Sequence, residues 1–275
     1  MKKLHFCGGL PRSGSTVLMN ILQQNPRIFT TGTCVLPQIL HSNVIIKGRY
    51  HESFQAMSAE QADSAMYGLI HGATQGWYSG LTTKPVVISK NRSWNELYHL
   101  YPESKYIVMI RDIRDIVDSF VRLNSKIKAL HAYGDVHTLL PAMDDDDLFQ
   151  HFFKEQNALS LSLRNEVPRL MNKFRQNNTN ILFVRYEDFV RNPKYILDKI
   201  YIFLEENNYL HDLNTIPQSF MIEHDNAYFR EKTSHKTNSE FLLDYFPERV
   251  ISEVMQNRIV KEHKWFYDGF YPEHT

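Results

Sequence analysis

The chain has 275 residues with a hydrophobic fraction of 43% and a charged fraction of 23%, the balance of a globular protein that buries a substantial core. Lys and Arg total 31 and Asp and Glu total 31, so the formal charge is zero, which argues against nonspecific nucleic-acid binding and requires any anion site to be local. Cys7 and Cys34 are the two cysteines, too few for a disulfide framework, and no run reaches the roughly 18 apolar residues of a membrane helix.

In chain order, Leu4–Gly8 reads as a short apolar strand. It starts within a few residues of Met1, which leaves no room for a signal or anchor segment, so a cytoplasmic protein without a membrane partner is expected. The strand runs through Gly9-Leu10-Pro11-Arg12-Ser13-Gly14 into a helix pattern over Ser15–Gln24. Strand, glycine-bearing turn and helix, in that order, aim backbone N–H groups and the positive end of a helix dipole at one point. Such a turn is an anion cradle, to which Ser15 or Thr16 can add a hydroxyl and Arg12 a guanidinium. Gly9 and Gly14 keep the glycine spacing of a nucleotide-binding P-loop, but Ser15 stands where a Walker A loop has its lysine.

A variable helical region from Pro37 to Tyr78 follows, then a strand over Val86–Ser89 that ends at Lys90, and a short helix around Trp94–Tyr101. Tyr106–Ile110 is apolar without alternation, as in a strand covered on both faces of a parallel sheet. Arg111 comes directly after it, at the strand end where open α/β sheets place their ligands. Ser119 lies eight residues on, in a helix predicted from Asp115, so both side chains could face one phosphate. Two other readings stay open here: Asp112 imitates a Walker B carboxylate, and Arg111 with Asp115 could be a surface ion pair.

A long helix pattern spans Leu148–Phe174, bent or interrupted at Pro168. The carboxylates Asp144 to Asp147 just before it complement the helix dipole, with a cation site as the alternative. A strand at Ile181–Val184, a helix at Lys194–Glu206, a polar loop and a last helix at Pro247–Phe266 complete the order. None of the 13 histidines shows a zinc-ligand spacing. Strands alternating with helices predict an α/β protein, a P-loop-like open parallel sheet flanked by helices, in one domain over residues 1–275.

Several of these segments together resemble the sulfotransferases that use 3'-phosphoadenosine 5'-phosphosulfate (PAPS). Pro11-Arg12-Ser13-Gly14-Ser15-Thr16 is similar to the PRSG[ST]T loop of the tyrosylprotein-sulfotransferase-like branch, and Arg111 to Ser119 to the RDxRDxxxS segment. Tyr186-Glu187-Asp188-Phe189 with Pro193 resembles the strand-end YEDL motif and its proline. The resemblance implies the sulfotransferase fold, PAPS as donor and PAP (3'-phosphoadenosine 5'-phosphate) as product. It implies that Pro11, Arg12, Ser13, Gly14, Ser15 and Thr16 hold the 5'-phosphosulfate and that Arg111 and Ser119 hold the 3'-phosphate. It also implies that Tyr186 approaches the adenosine and that Lys232, with Lys236 as a rival, is a late phosphate contact. Lys90 occupies the place of the catalytic lysine, and Lys90 and Arg12 would meet the charge that builds on the bridging oxygen as PAP leaves.

The chain departs from the family where a general base is expected. Tyrosylprotein enzymes carry a Glu in a segment that reads Thr30-Thr31-Gly32-Thr33-Cys34 here, and small-molecule enzymes carry a His where Arg92 stands. His41, His51, Glu52 and His71 are the candidates that remain. A hydroxyl or amine acceptor is expected, whether small molecule, carbohydrate or peptide; the alternatives are a P-loop nucleotide kinase and a catalytically silent PAP-binding domain.

Overall fold

The protein's structure, a computed structural model, describes residues 2–32, 52–91, 98, 100–126, 140–155, 157–176, 179–217, 240–243 and 246–274. Its centre is a sheet of β1 (Lys3–Gly9), β2 (Ile28–Thr30), β3 (Val86–Lys90), β4 (Tyr106–Ile110) and β5 (Ile181–Arg185). The spatial order is β2-β3-β1-β4-β5 and every pairing is parallel. β1 therefore lies inside the sheet, and the chain builds first to one side of it and then to the other. The crevice at the carboxyl ends of β1 and β4 is the point where that direction reverses, the usual ligand position in such sheets.

The apolar runs of β1 and β4 are buried because helices cover both faces. Tyr106, Val108 and Ile110 point into one core and Ile107 and Met109 into the other, the period-2 alternation of a strand sandwiched between two apolar layers. The second layer is supplied by α1 (Ser15–Leu22), with Leu18, Met19 and Leu22 packed on Cys7, Val86 and Ile88. The first is supplied by α2 (Ala59–Leu81) and α3 (Ile113–Lys126), through Ile70, Tyr78, Ile113, Ile116 and Val117. Each such buried aliphatic or aromatic side chain contributes about 1.5 to 3 kcal/mol. Ser58 and Gln61 start α2 with a reciprocal capping box.

Helix boundaries differ from the pattern-based ones where side chains cap them. α3 begins at Ile113 rather than Asp115, because the Asp112 carboxylate accepts the Arg114 backbone N–H at 2.9 Å. The expected helix over 148–174 is instead a chain of short pieces, two of them π-helical, one of which ends at Lys154 while the next piece begins at Ala158. Asn157 caps that next piece, accepting from Leu159 and Ser160 at 3.0 Å each. Pro168 sits in the first turn of α4 (Val167–Arg175), directly after the π-helical piece Ser162–Glu166, so the interruption expected near Pro168 takes the form of a change in helical winding.

After β5 the chain forms α5 (Tyr186–Arg191) and α6 (Pro193–Leu204), whose Ile196, Leu197 and Ile200 close the second layer. The last predicted helix divides at His263 into α7 (Glu253–Glu262), capped by Ser252, and α8 (Lys264–Phe270). β2 has only three residues and no strand was read there. Most of the helix expected at Trp94–Tyr101, and Pro37 to Tyr50 of the variable region, lie outside the described residues.

The Asp144–Asp147 run is a helix start, not a cation cage. Asp144 accepts the Asp147 N–H at 2.9 Å, Asp145 accepts from the Ser252 hydroxyl at 2.5 Å, and Asp146 pairs with Arg258. Cys7 is a buried free thiol whose pKa is pushed up to about 12 by burial; Cys34 lies outside the described residues. Among the described residues no helix is long and apolar enough to cross a membrane.

Candidate active site

The loop after β1 is shaped by a close approach of two strands. Gly9 has φ +140°, and a Cβ there would fall 2.1 Å from the Met109 carbonyl oxygen, so only glycine lets β1 and β4 end side by side. The Leu10 N–H donates to that same carbonyl at 3.1 Å. Ser13 closes the turn, its hydroxyl donating to the Leu10 carbonyl at 2.5 Å and its N–H at 3.3 Å. The Ser13 side chain is thus buried in the turn. Gly14, at φ +84°, precedes α1, and no side chain caps the helix, so its first N–H groups face the loop opening.

Arg12 stands in this loop at φ 59°, a left-handed conformation rare for a side chain of its size. Its Nε donates to the Ser119 hydroxyl at 3.2 Å, and Arg111 Nη1 donates to the Arg12 carbonyl at 2.9 Å. The two segments read as separate phosphate sites therefore meet at one residue. Desolvation first, and then the like charge of Arg111, push the Arg12 pKa below its ordinary value. Arg111 has a buried Nε with no hydrogen-bond partner among the described residues. Two guanidinium groups held together with a donor unmet make a place that an anionic ligand would stabilise.

Tyr186 joins the same group. The Arg111 guanidinium lies over its ring at 4.4 Å, and the ring edge presses on the loop so closely that a Cβ at Gly14 would sit 2.7 Å from it. Lys90 ends β3 opposite Cys7, and its ammonium donates to the Thr16 hydroxyl in the first turn of α1. Its N–H donates to the Thr31 hydroxyl at 2.9 Å, which ties the β3 end to the chain just after β2. Pro11, Arg12, Gly14, Ser15, Thr16, Lys90, Arg111, Ser119 and Tyr186 all lie along the carboxyl ends of β1, β3, β4 and β5.

Asp112 is committed elsewhere. Its carboxylate accepts from Arg114 Nε at 3.0 Å, from the Tyr267 hydroxyl at 2.9 Å and from Arg249 Nη2 at 3.3 Å. Burial alone would raise its pKa, but Arg114, Arg249 and Tyr267 outweigh that and hold it below the usual value. Asp115 pairs with Arg249 at 2.5 Å, not with Arg111. The ion pair imagined between Arg111 and Asp115 is therefore replaced by one that anchors the carboxyl-terminal segment.

Of the candidate bases, His71 is stacked on Tyr67 with ring centroids 3.8 Å apart, and its Nε2 contacts the Leu100 carbonyl at 2.7 Å. That is a packing role on α2. Glu52 is exposed in a single helical turn, and His41, His51, Lys232 and Lys236 lie outside the described residues.

Sequence reasoning missed the groups behind the arginines: Glu187, Arg249, Tyr267 and Tyr271. Glu187 was in view as the second letter of the YED segment, and Tyr267 and Tyr271 share one helical face by their spacing of four.

The chain matches the family described as "Sulfotransferase family" over residues 5–209. It belongs to the sulfotransferase family. Its activity is transfer of a sulfuryl group from PAPS to an acceptor, with PAP left behind. No curated protein matches the chain. Among solved structures this sulfotransferase is similar to the sulfotransferase domain from the curacin biosynthetic pathway, with a TM-score of 0.50 and 15% identity, covering 96% of this chain and 98% of that one. That likeness extends over nearly the whole of both chains and shows a shared fold. It is also similar to the sulfotransferase domain of the Synechococcus PCC 7002 olefin synthase, at 19% identity and a TM-score of 0.44 over 76% of each chain. A third likeness is mouse sulfotransferase SULT7A1, crystallised with PAP, at 15% identity and a TM-score of 0.45 over 76% of this chain and 60% of that one.

Proposed function

We propose that the donor lies across the carboxyl ends of β1 and β4. Its 5'-phosphosulfate is held by Pro11, Arg12, Gly14, Ser15 and Thr16, and its 3'-phosphate by Arg111 and Ser119. Ser13 contributes to the shape of the loop through its bonds to Leu10, and Tyr186 flanks the adenosine. The observation that carries this reading is the pair of hydrogen bonds through which Arg12 joins both segments, to Arg111 and to Ser119. Lys232 completes the phosphate contacts by its place in the family pattern.

PAPS supplies an activated sulfuryl group on a good leaving group. Transfer runs in line through a loose transition state, so positioning and charge stabilisation carry the catalysis. Lys90 and Arg12 are the cations that meet the negative charge on the departing bridge. The hydrogen bond to Thr16 holds the Lys90 ammonium at the first turn of α1, on the cradle side of the sheet.

The loop form PRSGST supports kinship with the tyrosylprotein-sulfotransferase-like branch, while the missing carboxylate at Thr30–Cys34 separates this chain from that branch's acceptor chemistry. The acceptor is a hydroxyl or amine of a small molecule, carbohydrate or peptide, and residues 1–275 act as one cytoplasmic domain. A nucleotide kinase is disfavoured by Ser15 at the lysine position and by Asp112, whose carboxylate is taken by Arg114, Arg249 and Tyr267. A PAP-binding domain without catalysis is the second reading, favoured by the same missing carboxylate.

Calorimetric titration with PAP, and separately with ATP and Mg²⁺, decides between donor classes. PAP binding with no ATP binding is expected; the reverse would overturn the proposal. Labelled PAPS offered with a panel of phenols, sugars, amines and peptides should yield a sulfated product, whereas tight PAP binding with no product would establish the silent domain.

A further inference from the structure

The YED segment and the carboxyl-terminal helices meet behind Arg111, in a network that no part of the donor-site reading uses. Glu187 follows Tyr186 in the first turn of α5, and its side chain turns inward rather than to solvent. One carboxylate oxygen accepts the Asp112 N–H at 3.1 Å, and the other accepts the Tyr271 hydroxyl at 2.7 Å. Asp112 is the residue after Arg111, so Glu187 holds the backbone on which the arginine stands. Because Glu187 is also the residue after Tyr186, one side chain fixes both partners of the stacked Arg111–Tyr186 pair.

The network is dry. Asp112 is 2% exposed, Glu187 7%, Tyr271 1% and Tyr267 is fully buried. A buried carboxylate is retained only if its hydrogen bonds are met, and two of those of Glu187 come from Asp112 and Tyr271. Arg185 lies over the Tyr271 ring at 4.2 Å and pairs with Glu273 at 2.5 Å, so the chain end is clamped onto the end of β5. Tyr271 stands outside the residues 5–209 that match the family, although it reaches a segment inside them.

We propose that Glu187 and Tyr271 are positioning residues for the donor: they hold the Arg111 backbone, and with it the guanidinium, in register for the 3'-phosphate. This rests on the assignment of Arg111 to that phosphate. The hydroxyl of Tyr271 is the removable part, since Tyr271→Phe keeps the ring in its packed place and leaves one Glu187 oxygen without its donor.

The test is a double-mutant cycle on PAP affinity, with steady-state kinetics beside it. Tyr271→Phe is expected to raise the PAP Kd and the KM for PAPS by about tenfold while kcat at saturating PAPS stays within about twofold. In the Arg111→Ala background the same substitution should change the PAP Kd by less than about twofold, because the residue it positions is gone. Glu187→Gln keeps a carbonyl acceptor for the Asp112 N–H and should shift the PAP Kd by less than about threefold, whereas Glu187→Ala, which removes both acceptors, should reproduce the split between KM and kcat. Equal weakening by Tyr271→Phe with and without Arg111 would overturn the proposal in favour of general loosening, and so would an unchanged Kd. Wild-type protein that fails to bind PAP, or Arg111→Ala that binds it normally, would overturn the donor-site reading and this inference with it.

Discussion

Arg111 Nη1 donates to the carbonyl oxygen of Arg12 at 2.9 Å across a sequence separation of 99 residues. The bond joins the end of β4 to the turn after β1, which the parallel β1–β4 pairing brings side by side. The two residues thus stand at one place in the fold.

Removal of the Arg111 guanidinium should weaken PAP binding by about 2 to 4 kcal/mol, the range for leaving a charged partner unpaired in a site. Calorimetry of Arg111→Ala against wild type measures it. An unchanged Kd would take the 3'-phosphate away from this residue.

Lys90 is expected to act on the transition state. Lys90→Ala should lower kcat by about a hundredfold while the PAP Kd moves less than about threefold. A loss confined to affinity would make Lys90 a ground-state contact.

Asp112 is a stability determinant beside the site. Asp112→Asn leaves Arg114 and Arg249 without their buried counter-charge and should cost about 2 to 4 kcal/mol at pH 7, read from urea midpoints. Since its folded pKa lies below the usual 3.8, the ionised group's contribution is complete above that pH and is lost as pH falls through the lower folded value. The gap between wild type and variant should accordingly narrow at pH 3 and below. A gap that stays constant with pH would show that the ionised form is not what stabilises the fold.

Helix α2 carries four glycines, Gly68, Gly72, Gly76 and Gly80, at each of which an added Cβ meets nothing within 4 Å. Each costs helix stability without a packing need among the described residues, so Gly72→Ala and Gly76→Ala should each stabilise by about 0.5 to 1 kcal/mol. Thermal unfolding of the single and double variants checks both size and additivity. Destabilisation would mean that these positions serve a close contact.

The repetitive parts of this protein were legible from the chain alone. Tyr106–Ile110 is apolar at every position, a pattern that suits a strand covered on both faces, and the strand matches its predicted bounds. The glycines of the first loop and Arg111 at a strand end were legible for a similar reason, because each depends on its immediate neighbours. Boundaries were less so: the Asp112 cap advanced the start of α3, and the long helix pattern restarts from the Asn157 cap and changes to a π-helical piece just before Pro168.

Sequence by itself determined the alternation of strand and helix, the anion-binding turn and the basic residues at strand ends, all of which follow from local periodicity and spacing. Only the tertiary structure decided that Arg12 joins Arg111 and Ser119, that Asp115 pairs with Arg249 and that Tyr271 reaches Glu187. These contacts cross as many as 134 positions between Arg249 and Asp115 and depend on the strand order β2-β3-β1-β4-β5. The physical reason is that side-chain polar bonds form wherever burial excludes water, and which groups are buried together is a property of the packed sheet, not of any one segment.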